Sequence, residues 1–343
     1  MLKPRTRRIV RILLQVLVMV AIFAALLWYV GLGSLYNALV NIKLEYLLLA
    51  FVAYFGINVL FAVRLRRVLG KEGIKTSFGK TLLAQYAGML TSDVTPGRSG
   101  YVLTPIYLRD QDVPAPVSLS GILGIQSVEF LIKVVGGIGA LFFLIQFSVV
   151  PLQAGDFVII GLGIGLMLVG ALLLAAMSWS QRVISFVKRI TNHRLLRRFT
   201  GGLIGKLEEY ANNAKKTRKA FPEITLITLA CWVLKGFEWY FLGLALGITQ
   251  IPWIGYFLIH PLVTALAFVP ITPAGAGIQE FGIVGVFALL GVTSATVGGA
   301  AAAFAILARG LLIIEDLAGV PQIVKTSSLL FSRKKQDEHP TAA

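Results

Sequence analysis

Cysteine is nearly absent: Cys231 is the only one in 343 residues. An internal disulfide and a paired-cysteine metal site are thereby excluded. The three histidines, His193, His260 and His339, are far apart and show no metal-ligand spacing. Charge is scarce too, at 14%, against about 25% in soluble domains. Acidic residues are scarcer still, with 16 Asp and Glu against 32 Lys and Arg. The stretch Gly201-Gly202-Leu203-Ile204-Gly205-Lys206 lacks the spacing of a phosphate-binding loop. Neither H-E-x-x-H nor G-x-S-x-G occurs. ATP-driven pumping by this chain, a resident metal or cofactor, and enzymatic turnover are therefore not expected.

Apolar residues are abundant, at 57%, and the mean hydropathy is +0.80. Such a chain reads as an all-α polytopic membrane protein. Runs of spanning length are Ile12–Val30, Tyr46–Val63, Val117–Phe147, Phe157–Met177, Ile224–Leu246 and Ala295–Val324. The first is too long for a signal-peptide core and lacks a cleavage site, so it reads as a retained helix. In the third, Gly136, Gly137 and Gly139 mark expected points of bending.

Two further apolar regions, Phe78–Leu108 and Ile254–Leu290, are interrupted by Thr95-Pro96-Gly97-Arg98-Ser99-Gly100 and by Pro270 to Gly277. Proline removes a backbone donor and glycine weakens a helix. Such breaks persist at membrane depth only in a protein-lined or wet setting. The expectation is six full spans plus two re-entrant hairpins.

The net charge of +16 is unevenly placed. Five Lys or Arg precede the first run, six follow the second (Arg64, Arg66, Arg67, Lys71, Lys75, Lys80), eleven separate the fourth from the fifth, and four follow the sixth. The three intervening segments hold only Lys43. This asymmetry places both termini in the cytoplasm, and the expected location is the plasma (inner) membrane of a prokaryote. Basic and apolar residues interleave over 178–222, which reads as an amphipathic segment on the inner leaflet or a topology-setting loop, not as a nucleic-acid surface.

The order of elements repeats. Thr95 to Gly100 aligns with Thr272 to Gly277 at an offset of 177. Each half has an odd number of crossings, so the halves are inverted, as in alternating-access transporters. Residues 1–150 form the first repeat, 151–325 the second, and 326–343 an expected disordered tail.

Ionisable residues inside spans are costly and are site candidates. Glu129 and Lys133 are spaced i,i+4, Lys235 and Glu238 i,i+3. Each pair either neutralises itself or lines a path. Arg309 has no acidic neighbour at helical spacing; Glu280, just past the second break, is its expected partner, as latch or gate. Arg98 lies in the first break where a half-helix is expected to begin, between Gly97 and Gly100. It reads as an anchor for phosphate or carboxylate, with Asp93 as the internal competitor. Gly97 and Gly277, one in each break, complete the candidate ligand-binding set with these charges and Asp93.

Pro96-Gly97-Arg98-Ser99-Gly100, Glu129 in the following long helix, Pro273-Ala274-Gly275-Ala276-Gly277-Ile278-Gln279-Glu280, and Arg309 in the last long helix together resemble the membrane domain of lysylphosphatidylglycerol synthases and its stand-alone relatives. The resemblance covers nearly the whole chain. It departs at Tyr101, where the family often has an acid, and at Glu129-Phe130-Leu131-Ile132-Lys133, where Lys133 replaces an aspartate. The soluble aminoacyl-transferase domain of the synthases is not expected here, so the flippase part is what the resemblance implies. The expected function is translocation of a membrane lipid with an anionic or polyprenyl-phosphate headgroup. Two alternatives stand beside it: a non-transporting partner of a glycosyltransferase or lipid-synthesis enzyme, and an integral-membrane transferase with Glu280 or Asp93 as base. The Gly/Ala face at Gly298–Ala303 would suit a homo-oligomer or repeat packing.

Overall fold

The computed structural model describes residues 31–179, 218–268, 271–293 and 299–338, with the isolated positions 24, 28 and 185. The expected first span Ile12–Val30 and most of the basic segment 178–222 lie outside the described residues. Within them all regular structure is helical. In chain order these are α1 (Leu32–Val40), α2 (Leu44–Lys71), α3 (Phe78–Asp93), the short α4 (Thr104–Tyr107), α5 (Ala115–Phe147), α6 (Ala154–Trp179), α7 (Phe221–Ala245), α8 (Trp253–Thr264), α9 (Ile278–Leu289), α10 (Ala300–Asp316) and α11 (Val320–Glu338).

Four of these helical stretches are long and apolar enough to cross a membrane: Leu44–Lys71, Ala115–Phe147, Ala154–Ala176 and Arg218–Ala245. The 33 residues of α5 span about 50 Å at 1.5 Å per residue, well beyond a bilayer core. α10 has 17 residues and passes through a 3₁₀ turn (Leu317–Gly319) directly into α11; residues 295–298 of the expected Ala295–Val324 run lie outside the described residues. α8 and α9 are short apolar helices.

Apolar side chains gain little from associating in lipid, so close packing carries the helix contacts. α2 lies along α7, and α5 along α6 and α8. Glycine makes this possible on α7: a Cβ at Gly236 would stand 2.2 Å from the Phe257 ring, and one at Gly243 2.1 Å from the Tyr256 hydroxyl. The α5 glycines act the same way. Gly136 faces Pro261 and Gly139 faces Leu258, while the helix runs unbroken, so these residues serve contact with α8. An aromatic cluster ties α7, α9 and α10 together, with Trp239–Phe304 at 5.2 Å and Phe287–Phe304 at 4.8 Å. Each such pair contributes about 1 kcal/mol beyond area burial. The outward side chains of α6, among them Leu162, Val169 and Leu173, are exposed and suit contact with lipid.

Two expectations change here. The arm leaving the first break is not one apolar half-helix. It is a 3₁₀ turn (Ser99–Leu103), α4, and a second 3₁₀ turn (Arg109–Gln111) ending at Asp112 in the left-handed region. The tail also does not begin at 326. α11 continues to Glu338, and in its first turns Gln322 Nε2 donates to the Tyr107 carbonyl and Lys325 Nζ to Asp110 Oδ2, both at 2.6 Å.

Candidate functional site

α3 stops at Asp93, three residues before Pro96, whose ring disfavours a helical residue ahead of it. Thr95 then organises the turn. Its hydroxyl donates to the Thr91 carbonyl at 3.0 Å and accepts the Gly100 N–H at 2.7 Å. Gly97 (φ 60°) and Arg98 (φ 53°) are both left-handed. For arginine this is uncommon and costs about 1 kcal/mol or more. The second break has the same character, with Ala274 (φ 45°), Gly275 (φ 67°) and Gly277 (φ 84°).

The two breaks touch. Pro96 and Pro273 form an isolated antiparallel bridge, and the Ala274 N–H donates to the Thr95 carbonyl at 2.9 Å. Pro96 and Pro273 are also the residues that correspond in the 177-residue alignment.

Around this junction the candidate charges form four groups. Arg98 Nη2 donates to Asp93 Oδ1 at 2.6 Å. Lys133 Nζ donates to Glu129 Oε1 at 2.9 Å. Lys235 Nζ reaches both oxygens of Glu238, at 2.7 and 2.6 Å. Arg309 Nε donates to Glu280 Oε1, and its Nη2 reaches Gln279 Oε1 at 3.1 Å and the Ala274 carbonyl at 3.4 Å. Glu280 Oε2 accepts the Gly277 N–H at 2.6 Å. The start of α9 is therefore already capped by a carboxylate. Arg98 precedes only the short 3₁₀ turn Ser99–Leu103, and the four-residue α4 begins further on.

The groups line two adjoining lobes. One includes Arg98, Glu129, Lys133 and Lys235. The other includes Arg98, Lys235, Glu280 and Arg309. Arg98, Lys235, His260, Thr264 and Leu312 line both. The charges are layered. The cation side chains of Arg98, Lys235 and Arg309 are 13–15% exposed, while their carboxylates Asp93, Glu238 and Glu280 are at most 1% exposed. Glu129 is the exception at 18%. Four cations and two carboxylates line the lobes, so the chamber wall has a positive excess.

Arg64 is corrected from the sequence reading, which placed it among the cytoplasmic loop charges. α2 carries it inside the bundle, 1% exposed, where it donates to Thr228 Oγ1 at 2.7 Å and Glu129 Oε2 at 3.3 Å and covers the Phe61 ring at 4.5 Å. The signal was weak, because Arg64 ends an apolar run and precedes Arg66 and Arg67. Asp316 was also missed. It is fully buried and accepts from the Tyr54 hydroxyl at 3.1 Å. His260, passed over for want of metal-ligand spacing, faces both lobes, and among the described residues no His/Cys/Asp/Glu cluster suits a metal ion.

The model for the lysylphosphatidylglycerol synthase TM region matches residues 12–314 of this chain. Two archaeal proteins are similar along most of their length, both named UPF0104 membrane protein. That of Pyrococcus horikoshii is 22% identical over 82% of this chain and 88% of its own length. That of Methanothermobacter thermautotrophicus is 20% identical over 82% and 84%. The match takes in both breaks, Glu129 and Arg309, so the charged chamber sits within the shared region. The chain is a membrane protein of the lysylphosphatidylglycerol synthase transmembrane-region family.

Proposed function

We propose that this protein is a non-enzymatic lipid translocase that takes an anionic or phosphate-linked headgroup into the chamber beside the two breaks. The observation that carries the reading is the charge layering. Carboxylates behind Arg98, Lys235 and Arg309 offset the cost of bringing these cations into the bundle. The cations themselves face the chamber. An anionic headgroup meets their donors first, and Arg suits a phosphate or carboxylate through two parallel hydrogen bonds. Arg98 is the headgroup anchor, because it lines both lobes and is held by one ion pair. Lys133 and Lys235 line the way in, and Arg309 with Glu280 holds the second break.

The same reading makes the two broken segments re-entrant hairpins of an inverted repeat. A two-fold axis brings equivalent residues together in antiparallel fashion, and the Pro96–Pro273 bridge is a contact of that type. With six spans in all, both termini face the cytoplasm of a prokaryotic plasma membrane.

The test is mass spectrometry of lipids retained by the purified protein, native against Arg98→Ala. One anionic class, enriched over the bulk membrane and lost in the variant, is the expected result. Bulk lipid in both proteins would overturn the reading and leave Arg98 as a structural partner of Asp93.

A further inference from the structure

Glu129 differs from the other acids beside the chamber in being shared. Its Oε1 accepts from Lys133 Nζ at 2.9 Å and its Oε2 from Arg64 Nη2 at 3.3 Å. Asp93, Glu238 and Glu280 are each bonded to one cation among the described residues. With all three groups ionised, Arg64, Glu129 and Lys133 together carry one positive charge in excess, and the other pairs carry none. The two cations on Glu129 also stand differently. Arg64 is 1% exposed and lines neither lobe. Its Nη1 donates to Thr228 Oγ1, whose own hydrogen goes to the Ile224 carbonyl, and its guanidinium covers the Phe61 ring. These contacts bind Arg64 within the bundle, between α2, α5 and α7. Lys133 lines a lobe, with Nζ over the Phe130 and Phe268 rings at 5.8 and 5.1 Å. A lysine stem is flexible, so its ammonium can swing from one oxygen to another.

We propose that Arg64 is a positioning residue: it keeps Glu129 compensated, so that Lys133 can leave Glu129 and bond the anionic headgroup. This rests on the chamber reading given above and names the cation that the chamber hands over beside Arg98. When Arg98, Lys235 or Arg309 turns wholly to a ligand, a carboxylate at most 1% exposed loses its cation, and a buried charge without its partner is unfavourable. When Lys133 turns, Glu129 keeps Arg64. A headgroup with one negative charge then balances the excess positive charge of the three side chains.

Arg64 thus acts on the ligand through Glu129 and without touching it. Without Arg64, Glu129 has Lys133 as its remaining cation, and Lys133 can serve a ligand only by stranding a carboxylate. Without Glu129 as well, nothing holds Lys133 back. Removing the arginine alone and removing it together with the glutamate therefore have opposite effects on ligand binding. A residue that merely ties α2 to α5 and α7 gives no such reversal, because the double substitution breaks the same contacts.

The experiment measures binding of dihexanoyl-phosphatidylglycerol to the detergent-purified full chain by calorimetry. Four proteins are compared: native, Arg64→Gln, Lys133→Met, and the double variant Arg64→Gln with Glu129→Gln. Arg64→Gln should weaken binding by about tenfold or more, and Lys133→Met, which removes a charged donor, by a similar factor. The double variant should bind at least as tightly as the native protein. Native affinity in Arg64→Gln, or a double variant as weak as Arg64→Gln, would overturn the positioning role and leave the chamber reading standing. Should Arg64→Gln fail to fold, the double variant against Lys133→Met decides: tighter binding by the double variant supports the role, and equal affinity overturns it. Absence of binding by the native protein and every variant would overturn the role and the chamber reading together.

Discussion

The two breaks share a turn chemistry but are secured differently. At the first, Arg98 sits inside the break and is held by one ion pair to Asp93, five residues earlier. At the second, the break has no charge of its own. Glu280 on the following helix caps Gly277, and Arg309 from α10 reaches Glu280, Gln279 and the Ala274 carbonyl at once. A cation with one partner can be drawn to a ligand by breaking one bond. A cation with three partners resists such exchange. On the function proposed above, the first break is the working side and the second the fixed side, although in sequence they look like copies.

This contrast orders the expected effects of substitution. Arg309→Ala should be the most damaging. It leaves Glu280 buried and unpaired, a change that costs about 3–5 kcal/mol, and it frees the second break. Thermal denaturation of the detergent-purified protein should show a large loss of stability; a native-like melting curve would mean the second break is not secured through Arg309. Gly319→Ala comes next, since its Cβ would meet the Ala87 backbone. Overpacking of this kind typically costs about 1–3 kcal/mol. Its melting curve should fall between that of Arg309→Ala and the native one.

Arg98→Ala should affect ligand more than fold. Loss of a charged hydrogen-bond donor is worth about 1.5–3 kcal/mol, so binding of an anionic lipid should weaken by about tenfold or more. Arg98→Lys should recover part of it. If Arg98→Ala instead unfolds the protein as Arg309→Ala does, the two breaks are equivalent after all. Lys325→Ala should be the mildest. Its pair with Asp110 has a half-exposed lysine, and such pairs contribute at most about 1 kcal/mol; a larger loss would make the α11 anchor part of the core.

The parts legible in the sequence were those written locally. Glu129 with Lys133, and Lys235 with Glu238, share a helix face at i,i+4 and i,i+3, so their spacing already implied pairing. Arg309 and Glu280 were legible by elimination, because a lone intramembrane charge needs a partner. The Pro/Gly clusters marked both breaks. What stayed hidden depends on long-range placement. Arg64 looked like one more basic loop residue until α2 extended past the apolar run to Lys71. Asp316 and Tyr54 are separated by 262 residues, and no periodicity links them. The arm after the first break reads as apolar, yet Pro105 and the left-handed Asp112 divide it into turns. The union of Pro96 with Pro273 was implied only as a shared pattern, since alignment gives equivalence and not contact.

The most direct measurement is leaflet exchange of a headgroup-labelled anionic lipid in vesicles holding the purified protein, native against Arg98→Ala and Arg98→Lys. The account predicts fast exchange with the native protein, near-background exchange with alanine and intermediate exchange with lysine, while a zwitterionic lipid stays at background throughout. Equal exchange of the anionic lipid by all three proteins would contradict it.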